Sequence, residues 1–255
     1  MNPILQKRAA LVAVILLFLG LIGSLAAWYL RRSKAIRVLE SAQNVGLQCE
    51  WRVKYGARWT QSRWIKILPI SSVTSVSLDY DVRNAGELAR AIKVVGAVEE
   101  IGIGQGDPDE IETFLSELGC QRALRAMYIF NVPLEGEIGN ALGKFPNLRI
   151  LALVGSHYSA SDFPTLEALE ELDIRFSPVT DDGLAAILKC PKLRAAYMKE
   201  PAVTGNGIEQ IEKWRQRALK ELAITEVAVP EEDVSKLERG IQAACPDLEF
   251  SISAR

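Results

Sequence analysis

His157 lies in the segment SHYSASD with Ser156 beside it and Asp162 five residues on. These are the residue types of a base, a nucleophile and an orienting acid. The segment reads as a turn between regular elements and fixes none of those roles, so a polar turn is the simpler account. Glu171 and Asp173 stand two apart on a strand-like stretch. A carboxylate pair of unequal pKa is what acid and base catalysis of hydrolysis needs, but solvated strand charges explain the pair more cheaply. Gly102-Ile103-Gly104-Gln105-Gly106 superficially looks like a phosphate loop. It lacks both the G-x-G-x-x-G spacing and a Walker lysine, which leaves small residues on a strand and its exit turn. Cysteines 49, 120, 190 and 245 include no C-x-x-C pair, and the chain has one histidine, so neither zinc nor dithiol redox chemistry is indicated. The reading is a chain with no catalytic residues, no metal and no cofactor, hence not an enzyme. A hydrolase with a carboxylate site is the alternative.

The elements that position these residues come from a chain of 255 residues, 49% apolar and 24% charged, with net charge -2. This is ample for one large folded domain. The pI near 5.7 gives no broad electropositive surface, and no basic stripe stands out beyond the cluster flanking residues 9–30. No nucleic-acid partner is therefore expected.

Residues 9–30, AALVAVILLFLGLIGSLAAWYL, carry no charge. As a helix they would extend about 33 Å, enough for a hydrocarbon core of about 30 Å. Lys7 and Arg8 precede them, Arg31, Arg32, Lys34 and Arg37 follow, and Trp28 and Tyr29 sit where interfacial aromatics anchor. The expectation is a short tail (1–8) and one transmembrane helix (9–30) in contact with the lipid bilayer, making a single-pass membrane protein. A cleaved signal peptide is the alternative, since Ser24, Leu25 and Ala26 offer small residues at a cleavage position. The excess of basic residues after the span favours a cytoplasmic C-terminal domain.

Residues 31–70 read as a juxtamembrane helix and N-terminal cap. Ile36, Leu39 and Gln43 mark a short helix stopped at Gly46, and residues 47–55 alternate as a strand. Trp59, Trp64, Ile65, Ile67 and Leu68 supply an apolar lid.

From residue 71 to 255 one pattern recurs: an apolar residue, another three later and a third two after that. The sets are Val73, Val76, Leu78; Val98, Ile101, Ile103; Leu124, Met127, Ile129; Leu148, Leu151, Leu153; Leu169, Leu172, Ile174; Leu193, Ala196, Met198; and Leu219, Leu222, Ile224. Their first members are 25, 26, 24, 21, 24 and 26 residues apart. Helix signals fall between them. In Asp107-Pro108-Asp109-Glu110, Asp caps, Pro suits the first helical position and Glu is expected to reach back, with Gly119 as the stop. Ile111, Phe114, Leu115 and Leu118 share one face, as do Leu184, Ile187 and Leu188. Leu248, Phe250 and Ile252 alternate by two, as a closing strand does. Cys120, Cys190 and Cys245 stand in the third, sixth and eighth units. With strands about 4.8 Å apart they are too distant to pair, and reduced, buried thiols are expected.

The hexapeptide Val179-Thr180-Asp181-Asp182-Gly183-Leu184 and its second copy Val203-Thr204-Gly205-Asn206-Gly207-Ile208 each begin ten residues after their unit's first apolar position. Cys190-Pro191-Lys192-Leu193 and Cys245-Pro246-Asp247-Leu248 mark unit junctions, with Phe145-Pro146-Asn147-Leu148 as a variant. In these motifs the chain resembles the leucine-rich repeat family, especially its ribonuclease-inhibitor-like, cysteine-containing subclass, over roughly residues 70 to 255. With the apolar segment it is similar to membrane-anchored bacterial members. The resemblance implies an α/β leucine-rich repeat solenoid, with parallel β strands on the concave face and helices on the convex face, preceded by one transmembrane helix. The family is a scaffold whose functions vary. The chain departs from it where the asparagine or cysteine expected eight residues after the first leucine is Ser156, Ser177 or Pro201.

On such a concave face the side chains between the inward apolar ones point outward. Tyr128, Phe130, Ile150 and Val154 would then form an apolar patch beside Asp173, Arg175, Tyr197 and Lys199. The expected function is a membrane-tethered interaction scaffold binding a protein or peptide on this patch. Burial beneath a loop or a second copy is the competing account, and envelope or cell-wall recognition another alternative. The sequence leaves the oligomeric state open.

Overall fold

The computed structural model describes residues 3–43, 75–78, 85–96, 98–104, 106–134, 138–204, 206–207, 218–244 and 246–254. In order they form α1 (Pro3–Gln43), β1 (Ser75–Leu78), α2 (Ala85–Val95), β2 (Glu100–Ile103), α3 (Pro108–Leu118), β3 (Ala126–Phe130), α4 (Ile138–Leu142) and β4 (Ile150–Val154). β5 (Glu171–Asp173), α5 (Asp181–Ile187), β6 (Ala195–Lys199), β7 (Glu221–Val227), α6 (Glu231–Ala244) and β8 (Glu249–Ala254) follow.

The eight strands make one parallel sheet in strict chain order. The apolar triplets explain it, because their second and third members sit two apart on a strand and turn the same way. Ile101 aligns with Met127, Met127 with Leu151, Leu151 with Leu172, and Leu172 with Ala196. Every triplet residue from Val98 to Ile224 is buried in one core cluster, together with the inward faces of the helices. The described part of α3 buries Ile111, Phe114, Leu115 and Leu118, and α5 buries Leu184 and Ile187.

Two expectations about architecture need correction. The first is the transmembrane helix over 9–30 and with it the single-pass membrane localisation. α1 is one helix of 41 residues. Among the described residues no helix is long and apolar enough to cross a membrane. The helix runs unbroken through Arg31–Lys34, which contain no helix breaker, so the separate helix expected from residue 35 is its end. There Ala35, Ile36 and Leu39 enter the core. The buried Arg32 donates from Nη1 to Val95 O at 2.7 Å, placing a cation on the last carbonyl of α2.

The second correction concerns the leucine-rich repeat solenoid with parallel strands on its concave face and helices on its convex face. The structure is an α/β arrangement with a parallel sheet, but its return segments differ. α2 and α3 have 11 residues each, α4 has 5, and the described segment between β4 and β5 contains turns and no helix. That unit is the shortest in the sequence, with 21 residues from Leu148 to Leu169, and extended chain carrying the buried Tyr158, Phe163 and Leu166 covers the core instead.

Among the smaller expectations, the strand over 47–55, the stop at Gly46, the lid residues Trp59 to Leu68, Val73, Cys49 and Cys245 lie outside the described residues. Cys190 is buried, whereas Cys120 is exposed because it follows Gly119, where the chain leaves α3 with φ 60. Asp107 caps α3 by accepting from Asp109 N at 2.9 Å. Glu110 does not reach back, since its Oε2 accepts from Ala85 N at the start of α2, 3.0 Å away. Asp162 serves α4 in the same way, accepting from Gly139 N at 2.9 Å. Asp181 holds Thr204 through both N (2.7 Å) and Oγ1 (2.6 Å). Carboxylates thus tie neighbouring units together at three places.

Candidate functional site

The eight residues singled out from the sequence lie on or directly beside β3 to β6, at positions alternating with the core residues. Tyr128 aligns with Ala152, Ala152 with Asp173, and Asp173 with Tyr197, while Phe130 aligns with Val154 and Ile150 with Glu171. One strand presents Tyr128 and Phe130 two residues apart, so both rings rise from the same side. They stack at a centroid distance of 6.4 Å with planes 9° apart. Phe130 is 39% exposed. Tyr128, Ile150 and Val154 are half-buried, and the small Ala126 and Ala152 between them are buried, giving the patch a low floor.

The charged edge is engaged within itself. Arg175 forks onto Asp173 through Nε to Oδ1 (2.9 Å) and Nη2 to Oδ2 (2.7 Å). Hydrogen bonding to Asp173 and its charge hold the guanidinium pKa above its ordinary value. Tyr197 donates its hydroxyl to Glu221 Oε2 at 2.8 Å, which with partial burial and neighbouring carboxylates raises its pKa to about 12. Lys199 pairs with Glu226 Oε1 at 2.8 Å and places its ammonium 4.9 Å from the Phe176 ring centroid. Burial, then the charges of Glu100 and Glu171, raise the pKa of Tyr128.

Phe176 escaped the sequence reading. It is 45% exposed and holds φ 58, a left-handed conformation uncommon for a bulky residue. Asn131, Gly155, Glu200 and Glu226 have φ between 54 and 67 at the same place in their units, seven residues after the first triplet member. A corner at which each unit leaves its strand therefore recurs across the sheet, and at β5 that corner lifts a phenyl ring to the rim. Residue type gives no hint of it. The signal lies in the register alone.

The other sequence candidates have structural occupations. His157 is exposed at φ 56. The neighbouring Ser156 is buried, donating to Leu153 O at 2.9 Å and lying 3.0 Å from Ser177 Oγ, while Asp162 caps Gly139. These contacts assemble no nucleophile and base. The Ser156 and Ser177 positions, where the resemblance leads one to expect asparagine or cysteine, are joined to each other and to the same carbonyl. Pro201 is buried. Asp173 has both oxygens on Arg175, and two cavities among the described residues, of about 240 and 340 Å³, are lined by residues other than Glu171 and Asp173. Among the described residues no cluster of His, Cys, Asp or Glu could hold a metal ion.

Compared with known proteins, the chain matches no family model and no curated protein.

Proposed function

We propose that this protein is an interaction scaffold of the leucine-rich repeat kind, binding a protein or an extended peptide on the open face of its sheet. The observation that carries the reading is the stacked Tyr128–Phe130 pair beside Ile150 and Val154. Rigid aromatic rings rimmed by charge give large contact area at low entropic cost, the usual make-up of a binding hot spot. Glu100, Glu171 and Glu221 border the same face, which favours ligands carrying Lys or Arg beside an apolar anchor. Self-paired Asp173–Arg175 and Tyr197–Glu221 contacts keep the rim ordered before a partner arrives.

Selection from a displayed peptide library tests this. Enriched peptides should carry an aromatic or aliphatic anchor flanked by basic residues. The variant combining Tyr128→Ser and Phe130→Ser should lose at least tenfold in affinity for them with an unchanged thermal melt. Equal binding by the variant refutes the assignment.

A further inference from the structure

At the opposite side of each unit's strand start, the residue following the first triplet member forms a second register column: Glu99, Arg125, Arg149, Glu170, Arg194 and Lys220. Backbone bonds lock this column. The carbonyl of Arg125 accepts from both Arg149 N (2.7 Å) and Ile150 N (3.0 Å), and that of Arg149 accepts from both Glu170 N (2.8 Å) and Glu171 N (2.9 Å). Adjacent rungs are about 4.8 Å apart, so Arg125 beside Arg149 and Arg194 beside Lys220 are like charges on neighbouring rungs, an arrangement that destabilises a sheet.

Arg122, Arg125, Asn147, Arg149, Glu170 and Lys192 line a cavity of about 240 Å³ there, together with Ala168. Four cations against one carboxylate leave a local charge of +3, in a chain whose net charge is -2. Among the described residues the one ion pair at this cavity is Arg149–Glu170, at 3.6 Å. Asn147 Nδ2 donates to Arg122 O at 2.7 Å and fixes the wall that carries Arg122. A second cavity of about 340 Å³ shares Glu170 and Lys192 and adds Arg194 and Lys220. Sequence spacing conceals this cluster, since its rungs come one per unit, and the expectation of no basic stripe away from residues 9–30 is corrected here.

We propose that the cavity framed by Arg122, Arg125 and Arg149 binds a compact polyanion bearing phosphate groups. Three arginines lining one cavity can offer their guanidinium forks to a tetrahedral oxyanion, which accepts from several directions. A single carboxylate presents its two oxygens in one plane, as Asp173 does to the fork of Arg175 in this same molecule, and matches three arginines less well than a phosphate does. No aromatic side chain lines either cavity, so the base-stacking platform of a single-stranded nucleic-acid site is missing from them. The bound anion relieves the repulsion between rungs, and Glu170 sets the boundary between the two cavities.

Calorimetric titration of the full chain with tripolyphosphate at low salt provides the test. Binding is expected, with affinity reduced at least tenfold in the variant combining Arg125→Gln and Arg149→Gln and retained in Lys144→Gln, an exposed lysine outside both cavities. Unchanged melting of the double variant shows that the loss is local. Absence of heat with the parent protein, equal binding by the double variant, citrate binding as tightly as tripolyphosphate, or tighter binding of a single-stranded oligonucleotide would each overturn the proposal.

Discussion

The hydroxyls of Ser156 and Ser177 lie 3.0 Å apart inside the turns that follow β4 and β5, and both reach Leu153 O, at 2.9 and 3.2 Å. Two protons serve three contacts, so the hydroxyls share them between the carbonyl and each other. Ser156 N also donates to Ser177 Oγ at 3.3 Å. Replacing Ser177 by Ala strips a buried N–H of its acceptor, for which the expected cost is about 1–3 kcal/mol. Urea denaturation should show the midpoint falling with an unchanged slope. A midpoint equal to the parent's would mean that the pair is structurally idle.

Gly183 is the close-approach residue of the VTDDGL motif. A Cβ there would fall onto Ser159 O and press on Ala160, because the start of α5 rests directly on the preceding unit. Gly183→Ala should therefore cost about 2–3 kcal/mol through overpacking against backbone that cannot yield. The half-buried Ala185 in the same helix serves as comparison, since Ala185→Gly should lose only about 1 kcal/mol of helix propensity. Thermal melts of the two variants should rank in that order, and the reverse ranking would refute the packing explanation.

Burial pushes the Cys190 thiol up to about 11 from 9.0, against a bond from Leu166 N that acts the other way. A raised folded-state pKa means that the folded chain keeps its proton while the unfolded chain loses it. The contribution is fully present below pH 9 and declines as pH rises from about 9 towards 11. Stability measured across pH 8–11 should fall, and the fall should be shallower in Cys190→Ala. At neutral pH, iodoacetamide followed by peptide mapping should modify the exposed Cys120 and spare Cys190 until denaturant is added. Early labelling of Cys190 would contradict its burial.

Much of the chain's course is legible in the sequence because its signals are local and periodic. The triplets from Val98 to Ile224 mark the strands and their inward faces, Asp107-Pro108 marks a helix start, and Thr180 caps α5 by accepting from Gly183 N at 3.2 Å. Features requiring two units to be aligned are not legible. Glu110 looks like a residue that closes its own helix, yet it bonds Ala85. Arg125 and Arg149 look like scattered surface charges until the register sets them side by side. Phe176 reads as an ordinary loop residue because nothing in its identity announces a left-handed backbone. The continuity of α1 is hidden by a composition that changes abruptly at Arg31 while helix propensity does not. The missing helix between β4 and β5 has a partial signal in the short spacing from Leu148 to Leu169.

The candidate face is legible for the same periodic reason, since alternation along β3 and β4 places Tyr128, Phe130, Ile150 and Val154 on one side. What alternation cannot supply is how the charges beyond it are spent: the fork from Arg175 to Asp173 depends on rotamers, and the Tyr197–Glu221 bond and the ammonium over Phe176 on neighbours 24 and 23 residues away.

Because, among the described residues, each strand of the sheet pairs with the strands before and after it in the chain, a tandem duplication of 21 to 26 residues in phase with the triplets can enter between two rungs. Former neighbours separate, each pairs with the newcomer, and no crossing connection has to be rerouted. Length is thus a quantity this architecture can gain or lose in whole steps, with the row of outward side chains growing by one column position each time.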